Sequence, residues 1–67
     1  MGAGAIIREL RGTKSLSTMA DEIGITKSSL AMYERGERTP SDEKKIKIAR
    51  YFGLSVQDIF FNHDEHK

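Results

Sequence analysis

Apolar residues recur along the chain at intervals of three and four, the spacing that places them on one face of an α-helix. These apolar stripes are Leu16, Met19, Ala20 and Ile23, then Leu30 and Tyr33, then Ile46, Ala49 and Phe52, then Val56, Ile59 and Phe60. Breakers separate them, at Gly12, Gly24, Gly36, Pro40 and Gly53. No segment alternates between apolar and polar residues for long enough to predict a strand. The pattern therefore predicts an all-α fold.

Hydroxyl side chains mark the starts of the helices. Ser15, Thr26 and Ser55 stand where an N-cap oxygen accepts a hydrogen bond from the first free backbone N–H groups. Asp58 completes a capping box with Ser55. Together with the breakers, these signals predict five helices, at about 4–11, 16–23, 27–35, 42–52 and 56–60.

The start of the fourth helix has two interpretations. Ser41 can cap it directly, as serine does at the other predicted starts. Alternatively, Thr39 caps it and Pro40 is the first helical residue, a position where the missing N–H of proline costs nothing.

One pattern occurs twice, as Ala-x-x-x-Gly-Ile-Thr at 20–26 and as Ala-x-x-x-Gly-Leu-Ser at 49–55. Each copy is typical of a helix that ends at a glycine C-cap and is followed at once by a new helix. The segment after the second copy, 56–60, is short and apolar, whereas 27–35 spans at least two turns and is polar on one side. We therefore expect the first copy to be a helix-turn-helix that presents an exposed helix, and the second to serve packing.

The exposed side of the third helix contains no acid. At about 100° per residue, an arc of roughly 140° holds Lys27, Ser28, Ala31, Met32 and Arg35. Ser29, Leu30, Tyr33 and Glu34 fall outside that arc. An acid pointed into a major groove would face phosphates, so its absence favours DNA. An ordinary solvated helix face, with Met32 in the core or in a dimer seam, is the alternative.

The residue types on that arc suit the edges of base pairs. Lys27 can donate to guanine, and Ser28 can donate or accept. Ala31 and Met32 can contact the methyl group of thymine. We predict these four residues to be the base-reading set.

Composition narrows the class of protein without identifying it. The 67 residues predict one domain at 1–62 and a disordered tail at 63–67. The absence of cysteine excludes disulfides and fits a reducing compartment, and no apolar run approaches the length of a membrane span, so a cytoplasmic location is expected. A formal net charge of +1 is weak for a nucleic-acid binder, so attraction to phosphate must come from the distribution of charge over the surface.

No catalytic, cofactor or metal site is expected. The chain has no cysteine nucleophile, no glycine-rich phosphate loop and no Ser-His-acid arrangement. His63, Asp64, Glu65 and His66 lie at the end of the chain without the i, i+4 histidine spacing of a helical zinc motif. We interpret them as a solvated tail.

Four aromatic residues crowd the last two predicted helices: Tyr51, Phe52, Phe60 and Phe61. A domain this small cannot bury them all. We name all four as candidates for the seam of a homodimer, and we expect some of them to lie in the core.

Residues 10–61 resemble the phage-repressor and Cro family of regulators, also called the xenobiotic-response-element (XRE) family. The resemblance is carried by the turn MADEIGIT, by YERGERTPS at the end of the third helix and by the closing stretch IARYFGLSVQDIF. It implies a compact, five-helix, lambda-repressor-like domain that binds a double-stranded DNA operator and regulates transcription. The ending resembles short regulators of phage and mobile elements, and no small-molecule ligand is evident.

The resemblance also implies roles for individual residues. Lys27, Ser28 and Met32 fall where family members read bases. Phosphate contacts are implied for Ser15, Leu16, Ser17, Thr26, Arg35 and Arg38. Leu16 departs from the family pattern, which often has glutamine there, so one polar contact is lost. Arg11 and Glu34 resemble an ion pair that fixes the angle of the recognition helix, although they can equally be two ordinary surface charges.

A protein-interaction module with the same fold is the competing function. An antitoxin-like partner or an antirepressor would keep the fold without binding DNA. The weak net charge and Leu16 favour this alternative. A DNA-binding antitoxin that does both is a third possibility.

Overall fold

The computed structural model of the chain describes residues 2–61, and within that range it is all-helical. The helices are α1 (Ala3–Arg11), α2 (Leu16–Ile23), α3 (Lys27–Arg35), α4 (Asp42–Phe52) and α5 (Val56–Phe60). The predicted elements are confirmed, with α1 beginning one residue earlier than expected. Residues 63–66, interpreted as a solvated tail and not as a metal site, and the whole predicted disordered tail at 63–67 lie outside the described residues.

The helix caps follow the sequence signals. Ser15, Thr26 and Ser55 each accept a hydrogen bond from the backbone N–H three residues on, and the capping box of Ser55 with Asp58 is present. At the start of α4, the side chain of Ser41 accepts from the N–H of Lys44, which decides between the two predicted caps in favour of Ser41.

The core is built from one face of each helix. Its buried residues are Ile7, Met19, Ala20, Ile23, Leu30, Tyr33, Ile48, Ala49, Ile59 and Phe60. In α4 the predicted stripe is partly wrong, because Ile48 is fully buried while Ile46 is 47% exposed. Around the helix axis, Ile48, Phe52 and Ala49 fall within about 100°, and Ile46 lies about 60° beyond Ala49. The face of α4 that is turned to the core is therefore defined by Ile48 and Ala49, with Phe52 partly buried between them and Ile46 outside it.

The four aromatic residues divide between the core and the surface. Phe60 is 7% exposed and packs in the core of its own chain, which corrects its expected place in a dimer seam. Helix α5 turns Phe60 inward beside Ile59. Tyr51 and Phe52 are half-buried and pack edge to face, with ring centroids 5.0 Å apart. Phe61 is 55% exposed, so these last three aromatic rings all keep exposed surface.

A polar cluster joins the α1–α2 loop to α4. The ammonium of Lys14 lies 2.8 Å from a carboxylate oxygen of Glu22 and 2.9 Å from the hydroxyl of Tyr51, which also donates to Glu22. The hydrogen bond from Lys14 lowers the pKa of Glu22. The cluster is exposed, so it contributes little to the stability of the fold.

Helix α1 crosses the back of α3 at a glycine that the sequence analysis did not single out. A Cβ added at Gly4 would lie 2.6 Å from the carbonyl oxygen of Glu34 and closer still to that of Tyr33. Because those oxygens belong to the backbone of α3, they cannot swing away as a side chain would. The absence of a side chain at Gly4 therefore allows α1 to pack directly against the backbone of α3.

The described residues include no helix that is long and apolar enough to cross a membrane. Over the same residues, no three His, Asp or Glu side chains come together as a metal site.

Candidate nucleic-acid interface

Helix α3 turns one face to the core and the other to solvent. Leu30 and Tyr33 anchor it, with 0% and 6% of their surface exposed. On the other face Lys27, Ser28 and Arg35 are exposed, whereas Ala31 and Met32 are half-buried. The predicted division into two faces is present. The two apolar members of the predicted base-reading set, Ala31 and Met32, are less exposed than the polar residues on the same face.

The turn before α3 fixes where its exposed face begins. Gly24 adopts the left-handed conformation, with φ of 94°, that lets α2 end sharply. Thr26 then caps α3, because its hydroxyl oxygen accepts from the N–H of Ser29 at 3.0 Å. The same hydroxyl donates to the Ser29 side chain at 2.9 Å. Lys27 is thus the first residue of a helix whose start is held by two hydrogen bonds.

The start of α2 lies beside that face. Ser15 and Ser17 are exposed, and Ser15 Oγ caps the helix through the N–H of Thr18 at 3.1 Å. Leu16 is half-buried and packs against the core. Its side chain has no hydrogen-bonding group, so a phosphate contact at this position can come only from its backbone N–H.

Arg11 and Glu34 form a two-point ion pair between α1 and α3. Arg11 Nε and Nη2 donate to the two carboxylate oxygens of Glu34 at 2.8 and 3.0 Å, and Nη1 donates to the carbonyl of Lys14 at 2.8 Å. The side chains are 18% and 6% exposed. The hydrogen bond to Glu34 raises the pKa of Arg11. The ion pair expected from the resemblance is confirmed, and the reading as two separate surface charges is wrong.

Arg35, a predicted phosphate contact, forms an ion pair with Glu37. Its Nη2 lies 3.1 Å from a carboxylate oxygen of Glu37, and the hydrogen bond raises the pKa of Arg35. Both side chains are more than half exposed. Glu37 was missed because it lies beyond α3, where Gly36 at φ 75° turns the chain back toward the helix.

Two further exposed cations belong to the elements next to α3. Arg38 is exposed on the loop after α3. Arg8, which the sequence analysis did not single out, is exposed on α1 and lines a groove together with Arg35. The groove also contains Arg11, Leu16, Ala31 and Glu34. Arg8 lies on α1, outside the helix-turn-helix motif of α2 and α3, and for this reason the motif did not point to it.

Comparison with known proteins places this geometry in context. The family model described as helix-turn-helix matches residues 6–59. An uncharacterised HTH-type transcriptional regulator of Methanocaldococcus jannaschii is 32% identical over 47 residues, which make up 70% of this chain and 71% of that protein. An uncharacterised HTH-type transcriptional regulator of Archaeoglobus fulgidus is 31% identical over 61 residues, with 88% and 87% covered.

The cryptic phage CTXphi transcriptional repressor RstR of Vibrio cholerae is 41% identical over 46 residues, which make up 69% of this chain. The match spans 41% of that repressor, less than half of its length. No solved structure matches the chain significantly.

Proposed function

Because this chain belongs to the XRE family of helix-turn-helix transcriptional regulators, we propose that it is a sequence-specific repressor of phage or mobile-element type. The observation that carries the proposal is the orientation of α3. Lys27 and Ser28 are free in solvent, while Leu30 and Tyr33 fix the helix to the body of the domain. An α-helix held in this way fits the major groove of B-DNA.

The proposed base-reading residues are Lys27, Ser28, Ala31 and Met32, and we call the surface that they form the reading face. The exposed cation and hydroxyl supply hydrogen bonds to base edges, and the half-buried Ala31 and Met32 supply an apolar surface for a thymine methyl. The proposed phosphate contacts are Ser15, Leu16, Ser17, Thr26, Arg35 and Arg38. A DNA operator as the target agrees with the cytoplasmic location expected from the sequence.

We further propose a homodimer on a two-fold operator. Two copies of α3 would then lie about 34–36 Å apart, one turn of DNA, and each would read a half-site. Tyr51, Phe52 and Phe61 support the proposal, since each keeps exposed aromatic surface. Sedimentation with and without operator DNA tests it, and a protein that is monomeric alone and binds as one copy per duplex would contradict the dimer.

The base-reading assignment predicts a loss of sequence preference in the double variant Lys27→Ala/Ser28→Ala. Each lost base contact is worth about 1–3 kcal/mol of discrimination, so the loss of two should weaken binding to an operator selected from a random library by roughly 30-fold or more. Binding to a scrambled duplex should fall much less. An unchanged affinity for the selected operator would show that the reading face is assigned wrongly.

The ion pair of Arg35 with Glu37 predicts that Glu37→Gln binds DNA more tightly. The substitution removes an acid next to the proposed phosphate contact and frees the guanidinium. A gain of about two- to fivefold in affinity is expected at low salt, as measured by fluorescence anisotropy with a duplex. In an Arg35→Gln background the same change should have a smaller effect. An equal gain in both backgrounds would mean that Glu37 acts without Arg35.

A protein-interaction module remains the second candidate, favoured by the net charge of +1 and by the apolar side chain of Leu16 at the start of α2. A gel shift with a random DNA pool at low salt separates the two functions. Phosphate attraction is strongest there, so a DNA-binding protein is retained and a pure antitoxin-like partner or antirepressor is not.

A further inference from the structure

A groove runs between α1, the start of α2 and α3, on the border of the proposed reading face. Its apolar members are Leu16 and Ala31. Its charged members are Arg8, Arg11, Arg35 and Glu34. Three guanidinium groups and one carboxylate line the groove, and Glu37 pairs with Arg35 from outside this lining, so one guanidinium of the groove has no acidic partner.

The three arginines differ in how many of their side-chain donors are already used within the protein. Arg11 is engaged at Nε, Nη1 and Nη2, and it neutralises the carboxylate of Glu34. Arg35 is shared with Glu37. Arg8 is exposed, and among the described residues it has no ion pair within 4 Å. Arg8 is therefore the guanidinium of this groove that is free to meet an anion.

The apolar side chains beside Arg8 strengthen the argument. A phosphodiester backbone that crosses the groove next to α3 finds no side-chain donor at Leu16 or Ala31. Arg8 and Arg35 are the side chains that supply donors at the groove's surface, because Arg11 is occupied. Arginine suits phosphate, since its planar fork donates two parallel hydrogen bonds.

We propose that Arg8 binds a backbone phosphate of the operator beside the one assigned to Arg35, which adds α1 to the DNA interface. The inference rests on the proposed function, because it needs α3 to face DNA. It assigns to α1 a positioning contact that carries no sequence information, as phosphate contacts generally do not.

Salt-dependent binding tests the inference. Affinity of the full chain for a 20-base-pair duplex of random sequence is measured by fluorescence anisotropy at about 50–200 mM salt. Loss of one phosphate contact makes the slope of log K against log [salt] shallower by about 0.9. The ratio of wild-type to Arg8→Gln affinity should therefore be about 3.5-fold larger at 50 mM than at 200 mM salt. Arg8→Lys keeps the charge and should retain the wild-type slope.

Arg50→Gln is the matched control. Arg50 is also an exposed arginine in the last turn of a helix, and it lines a different groove, with Ile46 and Lys47 of α4. It should leave the slope unchanged, and thermal melting of both variants checks that the fold is intact. If Arg8→Gln behaves like Arg50→Gln while Arg35→Gln flattens the slope, the inference fails and the proposed function stands. If the wild-type chain does not bind the duplex at all, both fail.

Discussion

Gly4→Ala is expected to lower the melting temperature by roughly 10–20 °C, equivalent to about 2–3 kcal/mol for a domain of this size. In an exposed helix interior the same substitution would stabilise by about 0.5–1 kcal/mol, because alanine is the better helix former. Here the new methyl group would overlap the carbonyl oxygens of Tyr33 and Glu34. Helix α1 must then move away from α3, which opens the packing around Ile7. Thermal and urea unfolding followed by circular dichroism measure the loss.

Gly2→Ala is the matched control for this prediction. It adds the same methyl group two residues earlier, where a Cβ meets nothing within 4 Å and φ is −83°. Its effect should stay below about 1 kcal/mol, the range expected for a change at a helix N-cap. If Gly4→Ala proved as stable as Gly2→Ala, α1 and α3 would not approach as closely as the structure shows.

The helices could be predicted almost residue by residue because their ends depend on local chemistry. The hydroxyl at the N-cap of each helix from α2 to α5 and the glycine after α2 and α4 act within a few residues of the chain, and each is visible in the sequence. The buried face of α4 depended on more than local chemistry. Ile46 and Ile48 are both compatible with a helical stripe, and packing against the other helices decides that Ile48 is the buried one.

Gly4 and Glu37 were missed for a related reason. The role of Gly4 comes from the backbone of α3, about thirty residues away, so no pattern around position 4 announces it. Glu37 reaches Arg35 only because Gly36 turns the chain back. The exposed face of α3, in contrast, could be predicted, since Leu30 and Tyr33 define its buried side through the helical period alone.

The arginines near α3 illustrate how a chain with little net charge can still attract DNA. Arg11 is engaged in the ion pair with Glu34 that joins α1 to α3, whereas Arg8, in the groove beside α3, and Arg38, on the loop after α3, are exposed. The net charge sums every acidic and basic side chain of the protein, wherever it lies. It therefore does not report the balance of charge on the surface around α3. The formal charge of +1 thus says little against DNA binding.

The ion pair beneath α3 leads to the second large expected effect. Arg11→Met should destabilise the fold by about 2 kcal/mol, because it leaves the carboxylate of Glu34 with 6% exposure and without its partner. A fully buried pair would cost more, and the 18% exposure of Arg11 moderates the loss. Affinity for DNA should fall as well, since α3 loses a contact that sets its angle to α1. Urea unfolding and anisotropy with the selected operator measure the two effects.

Two further variants separate the loss of the pair from the loss of a positive charge. Arg35→Met removes the same group from the exposed pair with Glu37 and should leave the unfolding midpoint close to that of the wild type. The double variant Arg11→Met/Glu34→Met replaces both partners by apolar side chains and should recover most of the stability, because no charge is then left buried. DNA affinity should recover less than stability, since the two-point geometry that orients α3 is not restored. Equal stability of Arg11→Met and Arg35→Met would show that the pair between α1 and α3 does not hold the recognition helix.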